Sequence, residues 1–449
     1  IGRFKDALSP LERATRINPD HARSWARLGN VLRHLNRYDE SLDAIKRAVE
    51  LVPTYAWAWS EQGATLEMLS RYEEAISAYE KASEYAPNEV FYIYKQSDVL
   101  TYLNRNDTAL ALLEKALKLD NNNAQIWAQH GQVLRRLNRY DKALHSYTRA
   151  IELEPDHDWA WSGRGLTLSH LNRHEEALFS FEKALQLNTY DAWYWYNHAD
   201  ELYTLNRLDE VLKSLEEALK LNPRHIESWA KQGQTLRRMG KHSEALVAFD
   251  RAVRLNPLYA WAWNGRGLTL RDMDKREEAL VSFERAVTED STIIAYHINR
   301  LELLLDMQKT QDALVAVDKA IIVAADNAQI WARKGQILRR LNRYQDAVNS
   351  YEKAIALDPE NAWAWNGLGM SLNQLTRYSD AIDAHEKAVG FDAHDLWYWI
   401  NYGDALANAE RYRDAEEKYL NALEIDPNHE QALSRLQTIR DKLRENDTI

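Results

Sequence analysis

The sequence contains no cysteine among its 449 residues. Disulfides, thiolate metal sites and cysteine nucleophiles are therefore excluded, and a reducing compartment is the natural setting. No run of eighteen or more apolar residues occurs either, and no secretory leader opens the chain, so no membrane partner is read and a cytoplasmic location is expected. Positive charge is in deficit. The net charge of −11 disfavours nonspecific binding to nucleic acid or to an anionic membrane. Motifs for catalysis are missing as well. GQTLRRMGKH at 233 to 242 holds a Gly-Lys pair at the wrong spacing for a phosphate loop. The fourteen histidines include no HExxH and no cluster at metal-ligand spacing. We therefore expect no catalytic residue, no cofactor and no metal. NDT at Asn106 and Asn446 gives two glycosylation sequons, a weak signal in a chain this long.

Proline and glycine are scarce, and the few present are in phase. Eight of the nine prolines, from Pro19 and Pro53 to Pro427, recur at multiples of 34 residues, as do nine glycines, from Gly29 to Gly403. Tryptophan is plentiful and obeys the same period. Ten of the sixteen share one phase: Trp25, Trp59, Trp127, Trp161, Trp195, Trp229, Trp263, Trp331, Trp365 and Trp399. The other six, Trp57, Trp159, Trp193, Trp261, Trp363 and Trp397, stand two residues earlier.

One period, AQIWAQHGQVLRRLNRYDKALHSYTRAIELEP at 124 to 155, has apolar residues at three-and-four spacing, a break at LNRYD, a second helical pattern and a closing Pro155. That predicts two antiparallel helices per period. Trp127, Gly131, Leu134, Tyr140, Ala143, Tyr147 and Pro155 resemble the tetratricopeptide repeat pattern. The repeats starting at Val90, Ala192 and Ile294 depart from it, with Ser97, Ala199 and Leu301 replacing the glycine. The resemblance implies an all-α solenoid of about twelve to thirteen helix pairs in a right-handed superhelix, first helices lining a concave groove. It also implies binding of proteins or peptides rather than catalysis. The expected organisation is residues 1–21 as the second helix of an incomplete repeat, 22–427 as twelve repeats and 428–449 as a polar capping helix. Because Ile1 opens inside a second-helix pattern, a covalently linked upstream domain is also expected.

With the common tryptophan as position 4 of each repeat, a helical wheel at 100° per residue puts positions 4, 7, 8 and 11 on the packed side. Position 2 lies about 200° from position 4, beside positions 5, 9, 12 and 13. Trp161 and its class are thus expected in the fold's interior, and Trp57, Trp159, Trp193, Trp261, Trp363 and Trp397 on the groove face. A 102-residue super-period, three repeats long, divides that face into three kinds. The first kind carries an amide and basic residues: Asn30, Arg33 and His34; Gln132, Arg135 and Arg136; Gln234, Arg237 and Arg238; Gln336, Arg339 and Arg340. The second carries the extra tryptophan with a glycine four residues on, as Gly163, Gly265 and Gly367, a series that Glu61 breaks. The third carries Phe91, Trp193 or Trp397 at position 2, with Ala295 as the exception, and an acid at position 9: Asp98, Asp200, Glu302 and Asp404.

Each feature has an internal alternative. The arginines could pair with acids of the preceding repeat, Arg136 with Asp98 or Arg238 with Asp200. The glycines could admit a neighbouring helix, and the tryptophans could lie covered between repeats. The function expected is a noncatalytic scaffold whose groove takes a protein or extended peptide with apolar anchors and carboxylates. A sensing or targeting arm of a larger enzyme or signalling NTPase, and a self-associating architectural scaffold, are the alternatives.

Overall fold

The computed structural model describes residues 2–446. Ile1 and residues 447–449, which complete the sequon at Asn446, lie outside the described residues. Among these, 26 helices run from Gly2–Ile17 to Glu430–Asn446, with no strand. Between Ala22 and Ile425 they form pairs, each a first helix of 13 residues, such as Ala124–Arg136, and a second of 14, such as Tyr140–Leu153. The chain falls into two compact units, residues 1–228 and 229–449. Within each, a first helix packs against its own second helix and against the next pair.

The turn inside a pair is set by one residue. Asn138 takes a left-handed conformation (φ 57°), and Arg139 N–H then reaches back to Leu134 O at 2.9 Å. Asparagine tolerates this conformation better than most residues and so closes the helix. Asn36, Asn104, Asn172, Asn206 and Asn342 repeat the device, and Gly240 takes its place once.

The turn between pairs explains the common tryptophan. Trp161 donates its indole N–H to Pro155 O at 2.9 Å, and Trp25, Trp59, Trp263 and Trp365 reach Pro19, Pro53, Pro257 and Pro359 at 2.7 to 2.8 Å. The tryptophan and proline phases are thus two ends of one hydrogen bond. Where proline is replaced, Asn121, Thr189, Ala325 and Ala393 supply the carbonyl. These rings are half-buried rather than interior, because the indole must stay near the turn it clips.

The centre of each pair is filled by position 24. In the first unit Tyr79, Tyr147 and Phe181 are fully buried, and in the second Phe249, Phe283, Tyr351 and Tyr419. Glycine is needed opposite such a ring: a Cβ at Gly131 would stand 3.0 Å from the Tyr147 ring. Where the glycine is lost, the ring is lost with it. Ser97, Ala199 and Leu301 precede buried Leu113, Leu215 and Val317, the bulkiest first-helix residue meeting the smallest partner. A larger first-helix side chain is offset by a smaller partner, as close packing demands. Two positions keep the glycine but not the Phe or Tyr: Ile45 faces Gly29, and His385 occupies the ring site fully buried, with neither ring nitrogen bonded.

Candidate functional site

The six early tryptophans separate into two groups. Trp159, Trp261 and Trp363 are half-buried and set edge to face against Tyr147, Phe249 and Tyr351 of the preceding second helix, with centroids 6.4 to 6.5 Å apart. Trp57 packs among Trp25, Tyr55 and Trp59. Trp193 and Trp397, with Phe91 at the same position, remain 50%, 45% and 52% exposed. Trp193 meets the edge of His225 at 4.5 Å and Tyr196 at 5.7 Å, and Trp397 meets His429 at 5.2 Å.

The recurrent glycines answer to the same rings and need no ligand. A Cβ at Gly163 would lie 2.3 Å from the Tyr147 ring, one at Gly265 2.4 Å from Phe249, and one at Gly367 2.3 Å from Tyr351. Each ring is held between the glycines of two successive first helices. In the first copy the ring is replaced by Ile45, and the slimmer side chain leaves room for Glu61.

The basic ladder is largely spent inside the fold. Arg136 donates to Thr101 O at 2.6 Å and to Asn104 Oδ1 at 3.4 Å, and Arg340 to Leu305 O at 3.2 Å. Both therefore cap carbonyls in the last turn of the preceding first helix, where a cation is favoured. Arg135 and Arg339 lie close enough to the phenols of Tyr147 and Tyr351 to favour their ionised form. Burial nevertheless drives the Tyr147 phenol up to about 12, against the opposing pull of Arg135. Where the ring is Phe249, with no hydroxyl, Arg237 turns to Asp272 at 2.7 Å. Arg33 and Asn30 share Glu61 at 3.0 and 2.7 Å, and His34 stacks on Phe4 at 4.2 Å. Arg238 is exposed at the same position. Of the amides, Gln336 accepts from Arg333 at 3.2 Å, while Gln132 and Gln234 lie half-buried on their helices.

The acids meet residues of the following repeat, but at position 6. Asp98 accepts from Gln129 at 3.1 Å, Glu302 from Arg333 at 2.7 Å, and Asp404 from Arg435 at 2.6 Å, while Tyr419 of its own repeat also donates to Asp404 at 2.7 Å. Asp200 is half-buried at the equivalent place. The expected alternative of Asp98 with Arg136 is corrected accordingly: Arg136 lies at the helix end, over carbonyls rather than carboxylates.

Position 6, with Arg27, Gln129, Lys231 and Arg333, is the class that reading the sequence overlooked. The wheel places it within 40° of position 2, so it carried the same signal. Arg333 connects Glu302 to Trp363, its guanidinium carbon 5.0 Å from the ring centroid, and Lys231 Nζ stands 5.9 Å from the Trp261 ring. A cleft of about 560 Å³ opens here, lined by Asn327, Gln329, Arg333, Asp358, Asn361 and Trp363. A smaller one of about 280 Å³ is lined by Phe91, Tyr94, Asn123 and Gln125. Among the described residues, no group of three or more His, Asp or Glu could hold a metal ion, and no helix is long and apolar enough to cross a membrane.

Helix pairs clipped by tryptophan and stacked through a glycine-seated ring define a repeat solenoid. Residues 20–88, 92–123, 128–192, 194–225, 230–292, 335–375 and 397–429 match models described as tetratricopeptide repeat or TPR repeat. The chain belongs to the tetratricopeptide repeat family. No curated protein sequence matches it. Among solved structures it is similar to the APC/C hetero-tetramer Cut9–Hcn1, at 15% identity over 96% of this chain and 98% of that one, with a TM-score of 0.45. It is also similar to yeast Tom70, at 17% identity over 95% and 96% with a TM-score of 0.41. YrrB, described as a TPR protein with an unusual peptide-binding site, is 25% identical over 44% of this chain and 97% of its own, with a TM-score of 0.36. None of the three transfers a ligand to this chain.

Proposed function

We propose that this repeat scaffold is noncatalytic and that the first-helix faces of each unit bind an extended protein segment, anchored at Phe91 and Trp193 in the first unit and at Trp397 in the second. One observation carries the reading. The position-2 rings of the second kind are tucked against the preceding second helix, whereas Phe91, Trp193 and Trp397 stand about half exposed. Large aromatics presented singly at an equivalent place on successive scaffolding units are the usual anchors of a protein interface. Covering the exposed half of an indole, roughly 100 Å² at about 25 cal/mol per Å², contributes about 2 to 3 kcal/mol before ordering costs. Two such anchors contribute roughly 4 to 6 kcal/mol before those costs, and contacts around them supply the rest.

Arg33, Arg136, Arg237 and Arg340, engaged with carbonyls and carboxylates of the chain itself, are not assigned to the partner. The test is affinity capture from a cell extract with the wild-type chain and with the F91A/W193A/W397A variant, read by quantitative mass spectrometry. Partners should be depleted at least tenfold on the variant, while R136E should capture them as the wild type does. Equal capture by both chains would place binding elsewhere on the molecule.

A further inference from the structure

The chain holds an internal template for what its open aromatics receive. On two second-kind repeats the position-2 ring is met by a cation from the preceding first helix: Arg333 lies 5.0 Å from the Trp363 centroid and Lys231 5.9 Å from that of Trp261. The electron-rich face of an indole attracts a guanidinium or ammonium group at such distances. Trp193 and Trp397 occupy the same helical position, yet among the described residues no cation of the chain lies over either ring.

Carboxylates cluster around the helix starts that carry these two rings. Asp191 and Asp395 cap the helices that carry them, each accepting the backbone N–H of Trp193 or Trp397 at 2.8 Å. Asp158 accepts the Tyr194 hydroxyl at 3.3 Å, and Glu227 stands 3.8 Å from the His225 ring that edges Trp193. The neighbouring phenols register this negative field. Burial first, then Asp395 and Asp392, carry Tyr398 up to about 12, and burial with Asp158 and Asp191 raises Tyr194. The whole chain carries a net charge of −11.

We infer that Trp193 and Trp397 each receive an arginine or lysine side chain of a bound segment, the indole supplying the face and the nearby carboxylates the countercharge. The partner is therefore a basic peptide segment, and arginine, planar and weakly hydrated, suits the flat ring best. The inference rests on the reading that first-helix faces bind protein segments, and it reverses the charge expected from the arginine ladder.

The test uses the full chain and three synthetic decapeptides of one sequence, with two arginines, two citrullines or two glutamates at the same places. Citrulline keeps the planar shape of arginine but carries no charge, one NH2 of the guanidinium being replaced by a carbonyl oxygen. Indole N–H signals are followed by NMR and assigned with W193F and W397F. The arginine peptide should move the Trp193 and Trp397 signals selectively. The citrulline peptide should bind at least threefold more weakly, the loss expected from roughly one exposed cation–π contact. D191N and D395N keep a good helix cap, since asparagine caps as well as aspartate, and should weaken the arginine peptide severalfold at their own tryptophan. Equal binding of the arginine and citrulline peptides, or preference for the glutamate peptide, would overturn the cation while leaving the first-helix face as a binding surface. No movement of either signal with any peptide would overturn both.

Discussion

At the scale of single residues, the two tryptophan classes act through different neighbours. Trp161 fixes the turn before its helix through one hydrogen bond to Pro155 O, whereas Trp159 leans on the Tyr147 ring of the repeat before. W161F keeps most of the buried area and loses the donor, so it should cost about 1 kcal/mol. W161A should cost about 3 kcal/mol, the lower end for a large ring that is only half-buried. W193A, on an exposed ring, should shift the melting midpoint by less than either. Urea titration followed by far-ultraviolet circular dichroism checks the order. Overpacking offers a sharper comparison. G163A places a methyl 2.3 Å from the Tyr147 ring and should cost about 3 kcal/mol, at the upper end of overpacking costs. Adding Y147I should restore much of the loss, because Ile45 beside Glu61 shows that this seam accepts a side chain once the ring is gone. A double variant no more stable than G163A alone would contradict the ring as the obstacle.

At the scale of the helix pair, nearly all of the fold was legible in the sequence. The 34-residue period, the break at LNRYD and the phased prolines mark each element, and helices follow from them between Ala22 and Ile425. The site was legible only in part. A wheel gives the angle of a side chain about its own helix, and on that count Trp193 and Trp397 were placed on an open face. It does not give the height at which the next repeat overhangs. Hence Arg136 and Arg340, read as groove residues, lie over the carbonyl ends of the preceding helices. A signal did exist in the spacing. Polar contacts between first helices join residues 31 apart, as in Asn30–Glu61, Asp98–Gln129 and Glu302–Arg333, or 35 apart, as in Thr101–Arg136 and Asn264–Asn299. Scanning for complementary pairs one period apart, less three or plus one, would have found them. The asparagines at 299 and 401 are likewise paired, with Asn264 at 2.8 Å and Asn366 at 3.1 Å. R136E follows from this geometry: it sets a carboxylate against the carbonyl end of a helix. It should lower stability by about 1 kcal/mol, with R136M intermediate, as thermal unfolding at low salt would show.

At the scale of the whole molecule, buried histidines tie stability to pH. His130 and His198 are held down to about 4 and His385 to about 3, in each case first by burial, which disfavours the imidazolium. In the unfolded chain each returns to about 6.5. Between these values the unfolded state binds more protons than the folded one, so stability is full above about pH 6.5 and falls as the pH drops toward the folded values. Each histidine contributes at most about 1.4 kcal/mol per pH unit to that slope. His130 and His198 keep a serine hydroxyl at 2.9 Å in the neutral form. His385 has no partner for either nitrogen, so its imidazole gains nothing over a plain ring. H385F, which installs the residue that other repeats carry as Phe181, Phe249 and Phe283, should therefore raise stability at pH 7. It should also reduce the loss between pH 7 and pH 5.5 by about 1 kcal/mol. A solenoid's stability is carried by neighbour contacts, so the gain should concentrate near residue 385. Amide hydrogen exchange at the two pH values, read along the helix Tyr378–Phe391 and its neighbours, measures it. If H385F loses protection there on acidification as steeply as the wild type, the proton is being taken up elsewhere, and His385 is not the residue that sets the slope.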